Sequence, residues 1–334
     1  MRTDELDYEL PPGLIAQHPA SPRDSARLLV SDRGTPIRHR RFSDLPDLLW
    51  DGDLVVINDT RVLPARVRAQ RATGGSAEVL LLEPAGDGRW QALVRPYRRL
   101  RDGEQLSAGA LEIEIVEHLG EGRAVVRPAA EGSLEEALRS AGEMPLPPYI
   151  TEPLADPDEY QTVYARDPGS AAAPTAGLHF TPELLERVRG AHEVVSVTLD
   201  VGLDTFRPVA EDDLDGHRIH TEGYRVDPAA AEAIRGALDA GRRVVAVGTT
   251  TVRVLETVFG EDAAPLEGRT ALMIQPGHRF RAVDVMLTNF HLPRSTLLAL
   301  VMAFAGVERT REIYRTAIAE RYRFYSFGDA CLLT

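Results

Sequence analysis

ARVRAQR (65–71), SAEVLLLE (76–83), WQALVRP (90–96), LEIEIVEHL (111–119) and RAVVRP (123–128) follow one another along the chain, separated by TGG, GDG, RDG and GEG. Apolar and polar residues alternate with period two, and a Gly-containing turn recurs every ten or so residues. That pattern predicts antiparallel strands with one buried face, closing into a small β-barrel. A short helix, SLEEALRSAG (133–142), follows with Ser133 as N-cap. PLPPYI (145–150) then reads as a stiff, extended linker.

The flanks have a different texture. ARLLVSD (26–32) and IRHRRF (37–42) are strand candidates joined by a turn, SDLPDLLW (43–50) is a helix candidate, and DLVVIND (53–59) is a strand. After the linker, strands and helices alternate. TPELLERV (181–188) and DPAAAEAIRGALDAG (227–241) each begin with a capping residue followed by proline, and the second stops at Gly241. VVSVTLDVG, RRVVAVG and VDVMLTN are strands; TTVRVLETV, RSTLLALVMAFAG and VERTREIYRTAIAERY are helices. The unbroken apolar runs VVAVG and VDVML imply strands covered on both faces. The expected fold is an α/β domain built from both chain ends (1–62 and 148–334), interrupted by an inserted β-barrel at 63–147.

Composition bounds the chemistry. The 334 residues carry a formal net charge of −13, and 43% are hydrophobic, an ordinary globular balance. All 38 basic residues are Arg, which excludes lysine Schiff bases and the P-loop lysine. The single Cys331 excludes an internal disulfide and a thiolate cluster, and reads as a buried apolar side chain. The acidic start MRTDELDYELPPG lacks the apolar stretch of a signal peptide, and LLALVMAFAG (297–306) is too short to span a bilayer, so a cytoplasmic protein without membrane contact is expected. The charge is uneven. Residues 61–101 hold nine Arg against three acids, a local +6. Such a run is either a solvated strand face or a phosphate-facing patch.

Ligands in open α/β sheets bind beyond the carboxyl ends of the strands, and four segments put polar residues there. One strand ends in Asn58-Asp59-Thr60-Arg61. Another leads through Gly248 into Thr249, Thr250 and Thr251 and a helix bearing Arg253, a natural anion site. A third ends in Thr288-Asn289 ahead of His291. PTAGLHFT (174–181) holds His179 in a Gly-containing loop before a helix. Turn formation, helix capping and incidental loop histidines are the structural alternatives. HRIHTE (217–222) has HxxH spacing but no third ligand in view, so no metal is expected. GxSxG, GxGxxG after a strand and HExxH are all missing. From these residues alone the chain reads as an α/β enzyme with an anion-binding pocket and a basic β-insertion.

NDTRVLPAR, EMPLPPYI, YQTVYA, PTAGLHFT, VGLDTFRPV, TNFHLPRSTLLALVMAFAG and ERYRFYSFGDA, in this order from about Tyr8 to Leu333, resemble the S-adenosylmethionine:tRNA ribosyltransferase-isomerases of queuosine biosynthesis. The resemblance implies an α/β domain with a mixed sheet carrying a six-stranded antiparallel barrel. It implies S-adenosylmethionine as co-substrate, no metal, and as partner a tRNA with 7-aminomethyl-7-deazaguanine at the wobble position; no obligate protein partner is expected. The ribosyl moiety is transferred and isomerised to epoxyqueuosine, with adenine and methionine released. Such chemistry needs a base near the sulfonium-activated carbon, an acid for the departing adenine, and a cation or helix N-terminus for the methionine carboxylate.

On that resemblance His179 and His291 are acid/base candidates, with His220 and Glu222 next. Thr249, Thr250 and Arg253 are assigned to a carboxylate or phosphate, Asn58, Thr60, Arg61 and Asn289 to substrate orientation, and Asp329 to an ammonium or the modified base. The family usually reads HVGLGTF where this chain has DVGLDTF, so Asp200 stands in place of a histidine and Asp204 in place of a glycine; Asp200 is a weak catalytic candidate. Arg95, Arg98, Arg99, Arg101, Arg321 and Arg323 are expected to meet tRNA phosphates. Tyr97, Tyr322, Phe324 and Tyr325 are candidates to stack on bases, at least two of them being expected in the core instead. Two other readings are a same-fold transferase acting on a small nucleoside-type substrate without tRNA, and a non-enzymatic RNA-binding module.

Overall fold

The structure, a computed structural model, describes residues 1–202, 208–217, 219 and 221–334. His220 and Asp204 lie outside the described residues. The chain divides into two compact units. One comprises Met1–Asp59, Pro148–Ala165 and Pro174–Thr334; the other comprises Thr60–Pro147 and Arg166–Ala173.

In chain order the first unit opens with β1 (Arg27–Ser31), β2 (Arg38–Arg41) and β3 (Leu54–Asn58). The second holds β4 (Thr60–Val62), β5 (Arg66–Arg71), β6 (Ser76–Gly86), β7 (Arg89–Arg95), β8 (Gln105–Ala108), β9 (Leu111–Gly120), β10 (Arg123–Ala130), α1 (Leu134–Ala141), β11 (Gly142–Glu143) and β12 (Asp167–Ser170). The first unit resumes with α2 (Pro182–Ala191), β13 (Glu193–Leu199), β14 (Glu222–Arg225), α3 (Pro228–Asp239), β15 (Val244–Val247) and α4 (Thr249–Val258). It ends with β16 (Glu267–Thr270), β17 (Val285–Asn289), α5 (Thr296–Ala305), α6 (Val307–Ala319) and β18 (Ala330–Leu333).

In the inserted unit, β5, β6, β7, β10, β9 and β8 pair antiparallel in that order, and β8 returns to β5 through Gln70↔Ser107 and Arg71↔Leu106. Closure leaves no free edge among these six strands. The alternation predicted the inward face: Val67, Val79, Val94, Ile113, Ile115 and Val126 are all buried. Ser133 caps α1 by accepting from the Glu136 N–H at 3.2 Å. One segment departs from a continuous insertion ending at 147. Residues 166–173 fold with the barrel unit because β12 pairs in parallel with β4, and backbone pairing outweighs sequence position.

In the first unit, the described residues form a nine-stranded mixed sheet in the order β16-β14-β13-β3-β15-β17-β18-β1-β2. β13, β3, β15 and β17 run parallel, whereas β17 and β18 are antiparallel. Strands from both chain ends meet in the β1–β18 pair, Leu28↔Ala330 to Ser31↔Leu333. β3, β15 and β17 are buried at every position, as their unbroken apolar runs require. One face of the sheet, including Val55, Ile57, Val247 and Leu287, packs on Phe42, Phe180, Leu184 and Val188. Thr181 and Ser295 cap α2 and α5 with their side chains. SDLPDLLW is not an α-helix: Phe42–Asp47 is a 3-10 helix with Pro46 inside it, and proline cannot supply the N–H an α-helical interior needs. No helix among the described residues is long and apolar enough to cross a membrane.

Candidate active site

Four neighbouring parallel strands end side by side. β13 runs into Asp200, β3 ends at Asn58, β15 runs into Gly248, and β17 ends at Asn289. Gly248 has φ of +93°, a backbone state that glycine reaches without strain, and it turns β15 directly into α4. A Cβ on Gly248 would lie 3.7 Å from the Ala176 Cβ, so the loop Thr175–His179 lies over this strand end.

Asn58 ties three elements together. Its Nδ2 donates to the Leu199 carbonyl at 3.2 Å and to Thr250 Oγ1 at 3.3 Å, and its Oδ1 accepts from the Leu199 N–H at 3.1 Å. It therefore orients the start of α4 against β13. Thr249 is buried at the first position of α4. Asp59, noted at the same strand end but given no role, is buried and accepts from Thr198 Oγ1 at 2.8 Å.

His179 is buried beneath Phe42, ring centroids 4.8 Å apart. Asn289 Nδ2 donates to the Tyr325 carbonyl at 3.0 Å, which fixes the amide's orientation, because a carbonyl only accepts. The same Nδ2 lies 3.3 Å from His179 Nε2, so Nε2 is the acceptor and Nδ1 carries the proton. Asn289 Oδ1 is buried and has no hydrogen-bond partner among the described residues. Burial, then the charges of Arg323 and Arg23, push the His179 pKa down to about 3. His291 is likewise lowered to about 3 by burial. Both imidazoles are therefore neutral at pH 7.

The two histidines also differ in direction. His291 Nε2 meets Thr288 Oγ1 at 2.7 Å, and its main chain is held by Tyr314 and Tyr8 at 2.9 and 2.5 Å. Adjacent residues of a strand point to opposite faces. His179, on Asn289, and His291, on Thr288, therefore approach the end of β17 from its two sides.

Glu222 and Arg253 form a buried ion pair linking β14 to α4. Glu222 Oε1 also accepts from the Gly202 N–H at 2.8 Å. Arg253 Nε reaches the Leu272 carbonyl at 3.3 Å, while Nη2 is buried and has no partner among the described residues. The Asp200 N–H bonds the Gly223 carbonyl at 2.9 Å, so Asp200 lies beside Glu222. Asp329 is occupied by the fold itself: its oxygens accept from the Arg27 N–H at 3.0 Å and the Arg323 N–H at 2.8 Å. Among the described residues no group of three or more His, Cys, Asp or Glu side chains is arranged to hold a metal.

Thr60 and Arg61 belong to β4, at the start of the barrel unit. Arg95, Arg98, Arg99 and Arg101 are exposed on the barrel, with Arg98 and Arg99 in the 3-10 turn Tyr97–Arg99. Arg321 is exposed, but Arg323 is half-buried and reaches Asp329 at 3.5 Å and the His18 carbonyl at 3.3 Å. Tyr322 and Phe324 are fully buried in the aromatic core around Phe290 and cannot stack on bases.

Comparison with known proteins fits this arrangement. A family model described as queuosine biosynthesis protein matches residues 3–333. A protein of Rubrobacter xylanophilus named S-adenosylmethionine:tRNA ribosyltransferase-isomerase is 56% identical, over 100% of this chain and 98% of its own length. One of the same name from Anaeromyxobacter sp. (strain Fw109-5) is 54% identical, over 100% and 99%. A crystal structure of S-adenosylmethionine tRNA ribosyltransferase from Thermotoga maritima superposes with a TM-score of 0.57 at 37% identity, covering 99% of this chain and 100% of that one. A match that spans both units, strand ends included, leaves one conclusion: this chain belongs to the queuosine biosynthesis protein family.

Proposed function

We propose that this chain is an S-adenosylmethionine:tRNA ribosyltransferase-isomerase, transferring and isomerising the ribosyl moiety of S-adenosylmethionine onto 7-aminomethyl-7-deazaguanine at the tRNA wobble position. The observation that carries the reading is two buried polar atoms that have no partner among the described residues, Asn289 Oδ1 at the end of β17 and Arg253 Nη2 on α4. Buried polar atoms normally find partners, so an acceptor and a donor without any fit a polar ligand. A guanidinium nitrogen on α4 suits the methionine carboxylate. Asn289 Oδ1 suits a hydroxyl or amino donor on the nucleoside. His179, neutral and oriented by Asn289, enters the reaction as a proton acceptor or an Nδ1–H donor, not as an imidazolium. Glu222 acts by orienting Arg253, with one of its own oxygens on Gly202. The tRNA backbone is read by Arg95, Arg98, Arg99 and Arg101, whose side chains stand exposed on the barrel. A tRNA substrate makes the cytoplasm the site of action.

An anticodon stem-loop carrying the modified base, incubated with S-adenosylmethionine, tests the reading. Adenine release with a matching mass increase on the RNA is expected. Adenine release from the free modified nucleoside at the same rate would favour a small-molecule transferase, and RNA binding without turnover would favour a binding module.

A further inference from the structure

Two more polar side chains, packed on the loop Thr175–His179, lack partners among the described residues, and neither figures in the roles above. Tyr164 Oη and Thr162 Oγ1 are both buried without a hydrogen bond. Both side chains pack on one residue of the loop over the end of β15: a Cβ on Gly177 would lie 1.9 Å from Tyr164 Oη and 2.9 Å from the Thr162 methyl. Only a residue without a side chain lets the phenol sit against the backbone there. Two residues on, His179 reaches Asn289; one residue back, Ala176 faces Gly248. The ring of Tyr164 stands edge-on to the buried Phe180, centroids 6.1 Å apart, so its direction is set by the core. Burial, then the charge of Asp59 just past β3, raises the phenol well above its ordinary value, so the hydroxyl keeps its proton and serves as a donor.

We propose that Tyr164 and Thr162 are substrate-contact residues, their hydroxyls binding an acceptor atom of the nucleoside part of S-adenosylmethionine at the carboxyl ends of β3 and β15. The assignment rests on the ribosyltransferase reading and extends it to YQTVYA (160–165), a segment with no role so far. A nucleoside fits better than a phosphate or the methionine carboxylate. Two neutral hydroxyls match ribose oxygens or purine ring nitrogens, whereas an anion is held best by charged donors.

Tyr164→Phe separates this role from a structural one. A hydroxyl without a partner in the ligand-free protein contributes nothing to the fold, so Tm should stay level or rise. If the hydroxyl binds substrate, kcat/KM for S-adenosylmethionine should fall at least tenfold, with KM for the stem-loop unchanged. Thr162→Val, an independent variant of similar volume, should fall in the same direction. An unchanged kcat/KM for S-adenosylmethionine in both variants overturns the proposal. So does an effect confined to the KM of the stem-loop, or an activity loss matched by a fall in Tm. Adenine release by the wild-type chain is scored in the same assay: its absence refutes the ribosyltransferase reading, and this inference with it. A competent wild type with unaffected variants refutes the hydroxyl assignment alone.

Discussion

His179 and His291 are held neutral by burial, each with a pKa near 3 against an ordinary 6.5. The consequence for stability has a definite sign. Above pH 6.5 both folded and unfolded chains leave these rings neutral, so they add no pH dependence. Below it the unfolded chain takes up protons that the folded chain refuses, and stability falls with pH until the folded rings titrate near 3. Tm should therefore be level from pH 7 to 8 and drop progressively from pH 6.5 toward 4. His179→Asn should flatten that descent, and an unaltered slope would contradict the burial argument. That both histidines belong to distinctive segments was readable from PTAGLHFT and TNFHLP. Their protonation, and their approach to β17 from opposite faces, depend on what surrounds them, which no spacing encodes.

At the level of elements, α4 is the hinge of the site. Its first turn takes its orientation from Asn58 through Thr250, and its next turn from Glu222 through Arg253. The strand–Gly–helix junction at 242–258 was legible because an apolar run, a glycine and a threonine cluster have local causes. The Glu222–Arg253 pair was not, since the two residues sit on β14 and α4 and only the fold brings them together. Glu222→Gln leaves a buried guanidinium without its counter-charge, which typically costs about 3–5 kcal/mol. Denaturant unfolding should show a loss of that order. The double variant Glu222→Gln/Arg253→Met should recover much of it, because removing both charges abolishes the desolvation penalty. A double variant less stable than the single one would mean that Arg253 stabilises the fold by itself.

For the molecule as a whole, the proposed tRNA substrate has to be squared with a net charge of −13. Charge is partitioned: Arg95, Arg98, Arg99 and Arg101 stand exposed on the barrel, and among the described residues none of the four is in a salt bridge, unlike Arg71, which Glu104 holds at 2.6 Å. Arg98→Glu/Arg99→Glu should weaken tRNA binding and flatten the dependence of log Kd on log salt by roughly 0.7–0.9 for each phosphate no longer neutralised. The KM for S-adenosylmethionine should hold. Equal losses for both substrates would argue against a separate RNA face.

Local pattern alone determined five of the six barrel strands, the caps at Ser133 and Thr181, the buried central strands and the strand-end position of Asn58 and Asn289, because each follows from periodicity or from the needs of nearby backbone groups. Tertiary structure decided which candidate side chains remain available. It engages Asp329 with backbone N–H groups, pairs Glu222 with Arg253, buries Tyr322 and Phe324, and leaves Asn289 Oδ1, Arg253 Nη2 and Tyr164 Oη without partners among the described residues. Whether a polar group is satisfied depends on neighbours distant in sequence, and those neighbours exist only once the chain has folded.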